Sequence, residues 1–367
     1  MKIAFPHMGN ISVMGKTLFE NLGHEVIVPP KNTKRTLELG TTYAPEFACF
    51  PLKVTLGNFI EAAEKGADTI FMAGGGGPCR FGLYGHIQKE ILNDLGYDID
   101  AVIIDPPVVS ISDMLSKIWK VKNGSSIKNT KTALQKAWAK MHVLDYLDKK
   151  LSKTRPYEII SSKNKDGCDN IKDQIVKMVD KEEDLNKIYQ VKEEIDHRID
   201  NLSLAPRPKN PVQVAIVGEI YMVLESFANF DIEKRLGEMG CEVKRSVYLS
   251  EWVSQNIHPL GRQKYKQKKK KIEEKAKPYI KHFVGGHGRE SIGEAVIYAG
   301  EGYDGIIHVA PFTCMPETTA QSVFPIVSED FNLPVLSMIF DEQTGEAGTV
   351  TRLEAFTDLI KRKRKTA

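Results

Sequence analysis

Short β-rich runs alternate with helix-compatible runs through the first hundred residues, and this alternation constrains the fold more than any other feature of the sequence. Four runs favour strands: Lys2–Phe5, Glu25–Val28, Thr69–Ala73 and Ala101–Asp105. Three runs between them carry apolar residues at helical spacing: Gly15–Leu22, Phe59–Lys65 and Ile87–Leu95. Since strands that alternate with helices pair in parallel and are covered by those helices, the sequence predicts an α/β fold with a parallel sheet.

The same alternation returns in the second half of the chain, after a proline-rich boundary from Ala205 to Pro211. The runs that favour strands there are Gln213–Val217, Glu242–Tyr248, Ile306–Val309 and Val335–Phe340. A hydrophobic content of 41% over 367 residues is enough for two cores. We therefore predict two lobes with parallel sheets, an N-terminal α/β lobe over residues 1–109 and a C-terminal α/β lobe over residues 209–367.

Between the two lobes the β-branched runs disappear, and lysine, glutamate and aspartate dominate. Apolar residues recur there at helical spacing, as in Ile188, Val191 and Ile195. This pattern predicts a helical insert over residues 110–208. The polar segment 161–170, SSKNKDGCDN, is typical of a flexible surface loop, and we expect Cys168 to be exposed within it.

The charge balance and the termini narrow the class of protein. The chain has 51 lysines and arginines against 48 aspartates and glutamates, a net charge of +3 that favours neither nucleic acid nor an anionic membrane as a partner. We find no secretory leader at the N-terminus and no apolar run of membrane-spanning length. We therefore expect a soluble cytoplasmic protein that binds neither nucleic acid nor membrane.

Two basic runs interrupt this balance, Lys264–Lys271 and Lys361–Lys365. Such runs are usually the solvated face of a helix or a frayed terminus. The alternative is a docking site for an acidic partner or for the phosphates of a nucleotide. Neither run has the interleaved aromatic residues of a platform for single-stranded nucleic acid.

Five cysteines are too few for a disulfide scaffold, and their odd number favours reduced thiols. Three of them, Cys49, Cys79 and Cys314, lie in segments that contain or adjoin proline. Cys79 and Cys314 each follow a predicted strand, so we expect both at the carboxyl edge of a parallel sheet, where open α/β sheets bind ligands.

Thiolates are the preferred ligands of iron–sulfur clusters, and a cubane takes up to four of them. Three cysteines would leave one iron without a thiolate, which distinguishes a reactive cluster from a simple electron carrier. Their spacing matches no known metal motif, and the alternative interpretation is that they are buried, inert apolar residues. Cys241, at the start of a predicted strand, fits that alternative well.

A glycine run, Gly74–Gly77, leads directly to Cys79. Consecutive glycines let a backbone approach a ligand closely and direct N–H groups at a phosphate or a cluster sulfide. We therefore predict that Gly75, Gly76 and Gly77 bind a cofactor, and that Arg80 stabilises thiolate charge. The run is neither a dinucleotide fingerprint nor a P-loop, because it lacks the required later glycine and the Gly-Lys-Ser/Thr sequence.

Other polar residues also fall near predicted strand ends. Glu219 and Asn229 can either contact a substrate or serve the local helix, for instance as a helix cap. The segment Gly285–Glu290 can bind an anion or form a plain glycine-rich turn. His7 follows the first predicted strand. The sequence assigns no catalytic acid or base.

Several motifs in order resemble the 2-hydroxyacyl-CoA dehydratase superfamily, in its branch of acyl-CoA dehydratase activase-related (CoA protein activase) proteins. These motifs are KIAFPHMGN, LGHEVIVPP, TLELGTTYAPEFACFPLK, MAGGGGPCRFGLYG, VAPFTCMPE and DEQTGEAGTVTRLEAF. The resemblance covers residues 1 to about 107 and 209 to 360, and it is weakest in the helical insert.

The resemblance implies two flavodoxin-like or Rossmann-like lobes and a cluster held by three cysteines, with Cys49, Cys79 and Cys314 at the matching positions. Similar proteins often carry GCGPC where this chain has Gly75 to Cys79, so Gly76 stands at the position of a further cysteine in those proteins. This difference favours a single [4Fe–4S] cluster with one iron not thiolate-ligated. The resemblance also implies anaerobic metabolism and an ATP-dependent activase of the actin and sugar-kinase fold, or a related dehydratase subunit, as partner.

The leading functional hypothesis is therefore low-potential single-electron transfer linked to acyl-CoA dehydration or reduction. An acyl-CoA is the implied substrate, and a homodimer is a further expectation. One alternative is a non-enzymatic scaffold or regulator of a CoA-enzyme activase. The other is a cluster-free nucleotide-binding α/β protein.

Overall fold

A computed structural model describes residues 1–75, 77–105, 110–159, 167–256 and 261–366. The chain divides into two compact units, Met1–Met141 and His142–Ala367. The division between the units falls inside a long helix, and the three-part domain boundaries inferred from the sequence stay a prediction.

The first unit is built on a sheet of four parallel strands. These are β1 (Lys2–Ala4), β2 (Glu25–Val26), β3 (Thr69–Ala73) and β4 (Asp100–Ile104), in the order β2-β1-β3-β4. The order 2-1-3-4 is the beginning of the flavodoxin-like arrangement 2-1-3-4-5. The predicted parallel sheet of the N-terminal lobe is therefore confirmed, with every strand within two residues of its expected position.

Among its described residues, the helices that accompany this sheet are α1 (Ile11–Asn21), α2 (Lys34–Tyr43), α3 (Phe50–Glu64), α4 (Tyr84–Asp94), α5 (Ile111–Lys122) and the first half of α6 (Ile127–Thr154). Helix α3 is buried along nearly its whole length and supplies Leu56 and Phe59 to the core. A Cβ on Gly40 of α2 would lie 1.7 Å from the carbonyl oxygen of Lys53. Only glycine therefore permits the close packing of α2 on α3.

The second unit repeats the same strand order. Its strands are β5 (Val212–Gly218), β6 (Cys241–Arg245), β7 (Gly305–Pro311) and β8 (Val335–Phe340), all parallel, in the order β6-β5-β7-β8. Strand β7 is fully buried, as a central strand covered on both faces should be. The second predicted sheet is thus also confirmed.

The helices of the second unit cover this sheet and extend from it. After the second half of α6 they are α7 (Cys168–Lys181), α8 (Leu185–Asp200), α9 (Ile220–Leu224), α10 (Ser226–Asn229), α11 (Ile232–Glu238), α12 (Leu249–Asn256), α13 (Gly261–Ala276), α14 (Gly288–Gly300), α15 (Met315–Asp330) and α16 (Glu346–Thr366).

The segment predicted as a helical insert contains α5 to α8, but the expectation for Cys168 is wrong. Cys168 begins α7 and is fully buried, because it continues an apolar stripe with Ile171, Ile175 and Val179. Burial raises the pKa of its thiol to about 12. Residues 161–166, the first part of the predicted surface loop, lie outside the described residues.

The two basic runs also lie on helices. In α16, Lys361 donates to the carbonyl oxygen of Met239 at 2.9 Å and Arg364 pairs with Asp304 at 3.1 Å, so this run is docked rather than frayed. In α13, Lys270 and Lys271 point toward acidic neighbours near solvent. Within the ranges that the structure describes, no helix is both long and apolar enough to cross a membrane.

Candidate functional site

The glycine run after β3 forms a compact loop at the carboxyl edge of the first sheet. The amide of Gly74 donates to the carbonyl oxygen of Ile104 at 2.8 Å. A Cβ on Gly82 would lie 2.5 Å from the carbonyl oxygen of Gly75, and Gly77 has a φ of 100°. These glycines therefore let the loop pack on the short 3₁₀ helix Arg80–Leu83.

The structure shows where this glycine loop lies, but it does not test whether the loop binds a cofactor. Gly75 and Gly77 lie at the sheet edge where the sequence analysis expected them, and whether they bind a cofactor stays a prediction. Gly76 lies outside the described residues.

Cys49 and Cys79 lie on neighbouring loops of the first unit, each immediately before a helix. Cys49 precedes α3 and is 8% exposed, whereas Cys79 precedes the 3₁₀ helix and is partly exposed. The guanidinium of Arg80 donates to the carbonyl oxygen of Phe47 at 2.9 Å. Arg80 thus links the loop that carries Cys79 to the loop that carries Cys49.

Tyr84 is a site residue that the sequence analysis missed. It begins α4, is 3% exposed, and its hydroxyl group hydrogen-bonds the sulfur of Cys49. Its ring packs edge-on against Phe81, with 5.3 Å between the ring centroids. A tyrosine five residues after Cys79 is visible in the sequence, but its proximity to Cys49 depends on how α4 packs beside α3.

Cys314 occupies the corresponding place in the second unit, between β7 and α15. Its amide donates to the carbonyl oxygen of Pro311 at 3.1 Å, and Thr313 before it has a φ of 65°. The Thr318 hydroxyl group donates to the carbonyl oxygen of Cys314 at 2.8 Å. The cysteine is thereby fixed in a tight turn at the N-terminus of a 16-residue helix.

A buried polar network underlies this turn. Nε2 of His308 lies 2.9 Å from Oε2 of Glu317, and Nδ1 of His308 lies 3.1 Å from the hydroxyl oxygen of Ser337. Ser291 donates to the other oxygen of Glu317 at 3.2 Å. A neutral His308 satisfies both contacts when Nε2 donates to the carboxylate and Nδ1 accepts from Ser337. Both His308 and Glu317 are fully buried.

Neither His308 nor Glu317 was predicted from the sequence as a site residue. The signal of this network was a lone histidine within the apolar strand GIIHVAP and a glutamate three residues after Cys314. Neither residue alone indicates the other.

Glu219 caps a helix at the carboxyl end of β5. Its carboxylate accepts from the amide of Met222 at 3.0 Å, so the capping alternative is confirmed. Burial raises the pKa of this carboxyl to about 7, the nearby charge of Glu317 adds to the rise, and the amides of Met222 and Tyr221 oppose it. A carboxyl group with such a pKa can hold or release a proton near neutral pH.

The remaining predicted site residues have structural partners. Asn229 donates from its side chain to the carbonyl oxygen of Met222 at 2.7 Å. A ring nitrogen of His7 lies 2.9 Å from the carbonyl oxygen of Pro29. The segment Gly285–Glu290 turns into α14, where Arg289 hydrogen-bonds Glu273. These contacts explain the positions of all three features without a ligand.

Comparison with known families gives a match in the first unit. Residues 7–74 match the family model described as CoA enzyme activase uncharacterised domain (DUF2229). This segment is therefore similar to a domain associated with CoA enzyme activases. No curated protein matches the chain.

The activase-related segment contains Cys49 and ends at Gly74, directly before the loop that carries Cys79. It covers less than half of the chain, and the match includes neither Cys79 nor Cys314. The activase-related part of the resemblance is thus supported, and its dehydratase part stays a prediction.

The donors predicted for a cluster are distributed over both units. Cys49 and Cys79 lie together in the first unit, and Cys314 lies in the second. Across the described ranges, the structure contains no group of three or more His, Cys, Asp or Glu side chains placed to hold a metal ion. Joint ligation by the three cysteines therefore stays a prediction.

Proposed function

We propose that this activase-related chain is an iron–sulfur protein of the 2-hydroxyacyl-CoA dehydratase type. Cys49, Cys79 and Cys314 hold one [4Fe–4S] cluster in this proposal, with one iron not ligated by a thiolate. The observation that carries it is the pairing of the Cys49 and Cys79 loops by Arg80 at the carboxyl edge of a flavodoxin-like sheet. Cys314 occupies the equivalent edge of the second sheet.

The donor chemistry fits such a cluster. All three cysteines precede helices, and none of their side chains caps the helix that follows. The positive end of a helix stabilises a thiolate, and thiolates are the ligands that iron–sulfur clusters use. A cluster shared by all three also requires Cys314 to meet the two cysteines of the first unit.

The cluster, when bound, would supply one-electron transfer at low potential. The chain's own residues would orient its ligands. Arg80 fixes the Cys49 loop through the carbonyl oxygen of Phe47, and the hydroxyl group of Tyr84 is placed to donate to the sulfur of Cys49. Such outer contacts set the orientation and basicity of a ligand.

Dehydration of a 2-hydroxyacyl thioester also needs a proton for the departing hydroxyl group. Glu219 directly follows strand β5, and its carboxyl group has a pKa of about 7. A carboxyl group with this pKa can supply the proton near neutral pH. In the cytoplasm of an anaerobic cell, the partner would be an ATP-dependent activase of the actin and sugar-kinase fold, or a related dehydratase subunit.

Anaerobic purification with iron and sulfide analysis tests the proposal. We expect about four irons and four sulfides per chain, and an EPR signal after reduction. Each of Cys49→Ala, Cys79→Ala and Cys314→Ala should lose most of the iron. Cys241→Ala is the matched control, because Cys241 is fully buried in β6 and should not affect iron content.

Two results would contradict the proposal in different ways. A colourless, iron-free wild-type protein after anaerobic reconstitution would exclude the cluster altogether. Full iron content in Cys314→Ala would show that the second unit supplies no ligand, and the three-cysteine site would be wrong.

A further inference from the structure

Helix α5 of the first unit carries an apolar stripe that faces solvent. Its members are large hydrophobic residues with exposed fractions of 61%, 48%, 43% and 67%: Ile111, Leu115, Ile118 and Trp119. They lie at positions i, i+4, i+7 and i+8, which share one face of a helix. We call these four residues the α5 face. A continuous apolar stripe at the surface, unlike a single exposed hydrophobic residue, marks a site of interaction.

The opposite side of α5 is the one that holds the helix on the sheet. Nζ of Lys117 lies 3.2 Å from Asp105, directly after β4, and Lys120 pairs with Asp100 at the start of β4. Val121 is buried on this side. A surface helix ordinarily packs its apolar face on the core and turns its polar face to solvent. Because α5 is held by its charged side, its apolar face is available to a partner.

The chain around the α5 face is strongly basic. Residues 114–144 contain seven lysines and no aspartate or glutamate. Lys122 lies over the ring of Trp119, with 4.6 Å between Nζ and the ring centroid. Lys128 and Lys131 are exposed in the first turns of α6, which begins after a four-residue turn, and neither has a carboxylate partner among the described residues. The partner of complementary charge is therefore anionic.

A second copy of this chain does not meet these requirements. Two copies joined through their α5 faces would bring unpaired lysines together, and like charges at an interface oppose association. The helix has 12 residues and is about 18 Å long, so its stripe is much smaller than the roughly 800 Å² that each partner buries in a stable interface. Charge and area thus both disfavour a homodimer at this face.

The composition favours an anionic lipid surface over an acidic protein. Protein interfaces are enriched in arginine and depleted in lysine, whereas residues 114–144 contain lysine and no arginine. Helices that lie on membranes combine tryptophan and aliphatic residues on one face with lysines beside it. Tryptophan lies at the level of the headgroups, where lysine reaches the phosphates, and the stacked pair of Trp119 and Lys122 suits this boundary. A lipid surface also requires no groove that fits a convex helix.

We propose that the α5 face binds the surface of an anionic membrane, with Lys122, Lys128 and Lys131 placed against the lipid phosphates. The attachment is peripheral and reversible, because one short helix buries little apolar area. The expectation that the chain binds no membrane rests on its net charge of +3, which conceals this local excess of lysine. The proposal goes beyond the iron–sulfur function and does not depend on the cysteines.

Co-sedimentation of the full chain with lipid vesicles tests this proposal. One set of vesicles contains phosphatidylcholine alone, and the other contains phosphatidylcholine and phosphatidylglycerol in equal parts. We expect at least about tenfold stronger binding to the anionic vesicles, because each lysine near an anionic surface contributes roughly fivefold. Binding should also weaken as the salt concentration rises from about 50 to about 300 mM.

Substitutions on and beside the α5 face should weaken binding to the anionic vesicles. Trp119→Ala should reduce it about tenfold, because the burial of one large aromatic side chain is lost. Lys128→Gln should reduce it about fivefold. Ile326→Ala of α15 and Lys270→Gln of α13 are the matched controls, since they remove side chains that are 54% and 77% exposed elsewhere. Both controls should bind as the wild type does.

Tryptophan fluorescence locates the contact independently of affinity. The emission of the wild type should shift to shorter wavelength on anionic vesicles, because Trp119 leaves water. Trp119→Phe keeps an aromatic side chain and retains Trp138 and Trp252. It should therefore still bind but lose this shift. A shift that persists in Trp119→Phe would show that another surface meets the lipid, and the proposal would be wrong.

Preferential binding to the anionic vesicles that Trp119→Ala and Lys128→Gln weaken, and that the controls do not, would support the site. Absence of vesicle binding would overturn it and leave the α5 face to an acidic protein. Equal binding to both vesicles, or equal binding by all variants, would also overturn it, as would a dimer that Trp119→Ala dissociates in sedimentation velocity. Circular dichroism checks that each variant is folded, and Leu115→Ala replaces Trp119→Ala should that variant not fold.

Discussion

The carboxyl edges of the two sheets share a topology but differ in how they support their cysteines. At the first edge, Cys49 and Cys79 are joined by the exposed side chain of Arg80 and by the contact of Tyr84 with Cys49. At the second edge, Cys314 lies above the fully buried pair of His308 and Glu317. Equivalent positions in one fold can therefore be held by surface contacts or by a buried network.

The strands of the first sheet are also shorter than those of the second. Strands β1 and β2 have three and two residues, whereas β5 and β7 have seven each. Short strands provide few ladder hydrogen bonds, so helix packing must carry more of the stability of the first unit. We expect the first edge to move at little energetic cost and the second edge to resist movement.

Removal of the carboxylate of Glu317 should produce the largest effect. Glu317→Ala leaves His308 and Ser291 buried without their acceptor, and it also opens a small cavity. We expect the free energy of unfolding to fall by about 3 kcal/mol. Urea unfolding of the variant and the wild type measures this change.

The control for this change lies on the same helix. Glu329→Ala removes an exposed carboxylate of α15 and should alter stability by less than about 0.5 kcal/mol. Glu317→Gln should fall between the two, because an amide oxygen can still accept from His308. Equal stabilities for Glu317→Ala and Glu329→Ala would mean that the buried network does not stabilise the second edge.

The fold was largely predictable because its strand signals are local. A buried parallel strand is a continuous run of apolar, often β-branched residues, as in Ile306–Val309, and each such run was found as a strand. Helix α2 was missed, because Gly40 lowers helix propensity within a polar segment. Its stability depends on close packing against Lys53 and Gly57 of α3, which the sequence does not display.

The candidate site was predictable only in part, because some of its contacts depend on helix packing that the sequence does not display. The positions of Cys79 and Cys314 follow from the strands that precede them. The contact of Tyr84 with Cys49 and that of His308 with Glu317 instead depend on how helices pack on the sheets. Cys168 was misplaced because the polar residues before it suggested a loop, although its spacing to Ile171 and Ile175 already fitted a buried helical stripe.

The pH dependence of stability offers a second, smaller test of the second edge. The folded pKa of Glu219 is about 7, above its ordinary value of 4.5. A raised carboxyl pKa favours folding at low pH, so its contribution is fully present below pH 4.5 and is lost as the pH rises through 7. Because the residue is partly exposed, solvent reduces the effect, and we expect a loss of about 1 kcal/mol.

Glu219→Gln should remove this component while keeping an oxygen for the helix cap. Urea unfolding of the variant and the wild type, measured from below pH 4.5 to above pH 7, gives the difference in their free energies of unfolding. This difference isolates the contribution of Glu219 from that of the other titrating groups. Glu238→Gln, at an exposed position of α11, is the control and should leave the pH profile unchanged. Coincident profiles for Glu219→Gln and the wild type would show that Glu219 does not titrate differently in the folded protein.

The smallest expected effect concerns the first edge, where Arg80 makes an exposed hydrogen bond to Phe47. Arg80→Ala should lower stability by only about 0.5 kcal/mol, which corresponds to a roughly twofold larger population of the opened loop. Cys49 should then be alkylated about twice as fast by a thiol reagent, because its sulfur becomes accessible only on opening. Peptide mass spectrometry can follow Cys49 separately from the more exposed Cys79, and the exposed Lys31→Ala serves as control. An unchanged rate at Cys49 would show that Arg80 does not protect this thiol, and that its contact with Tyr84 does.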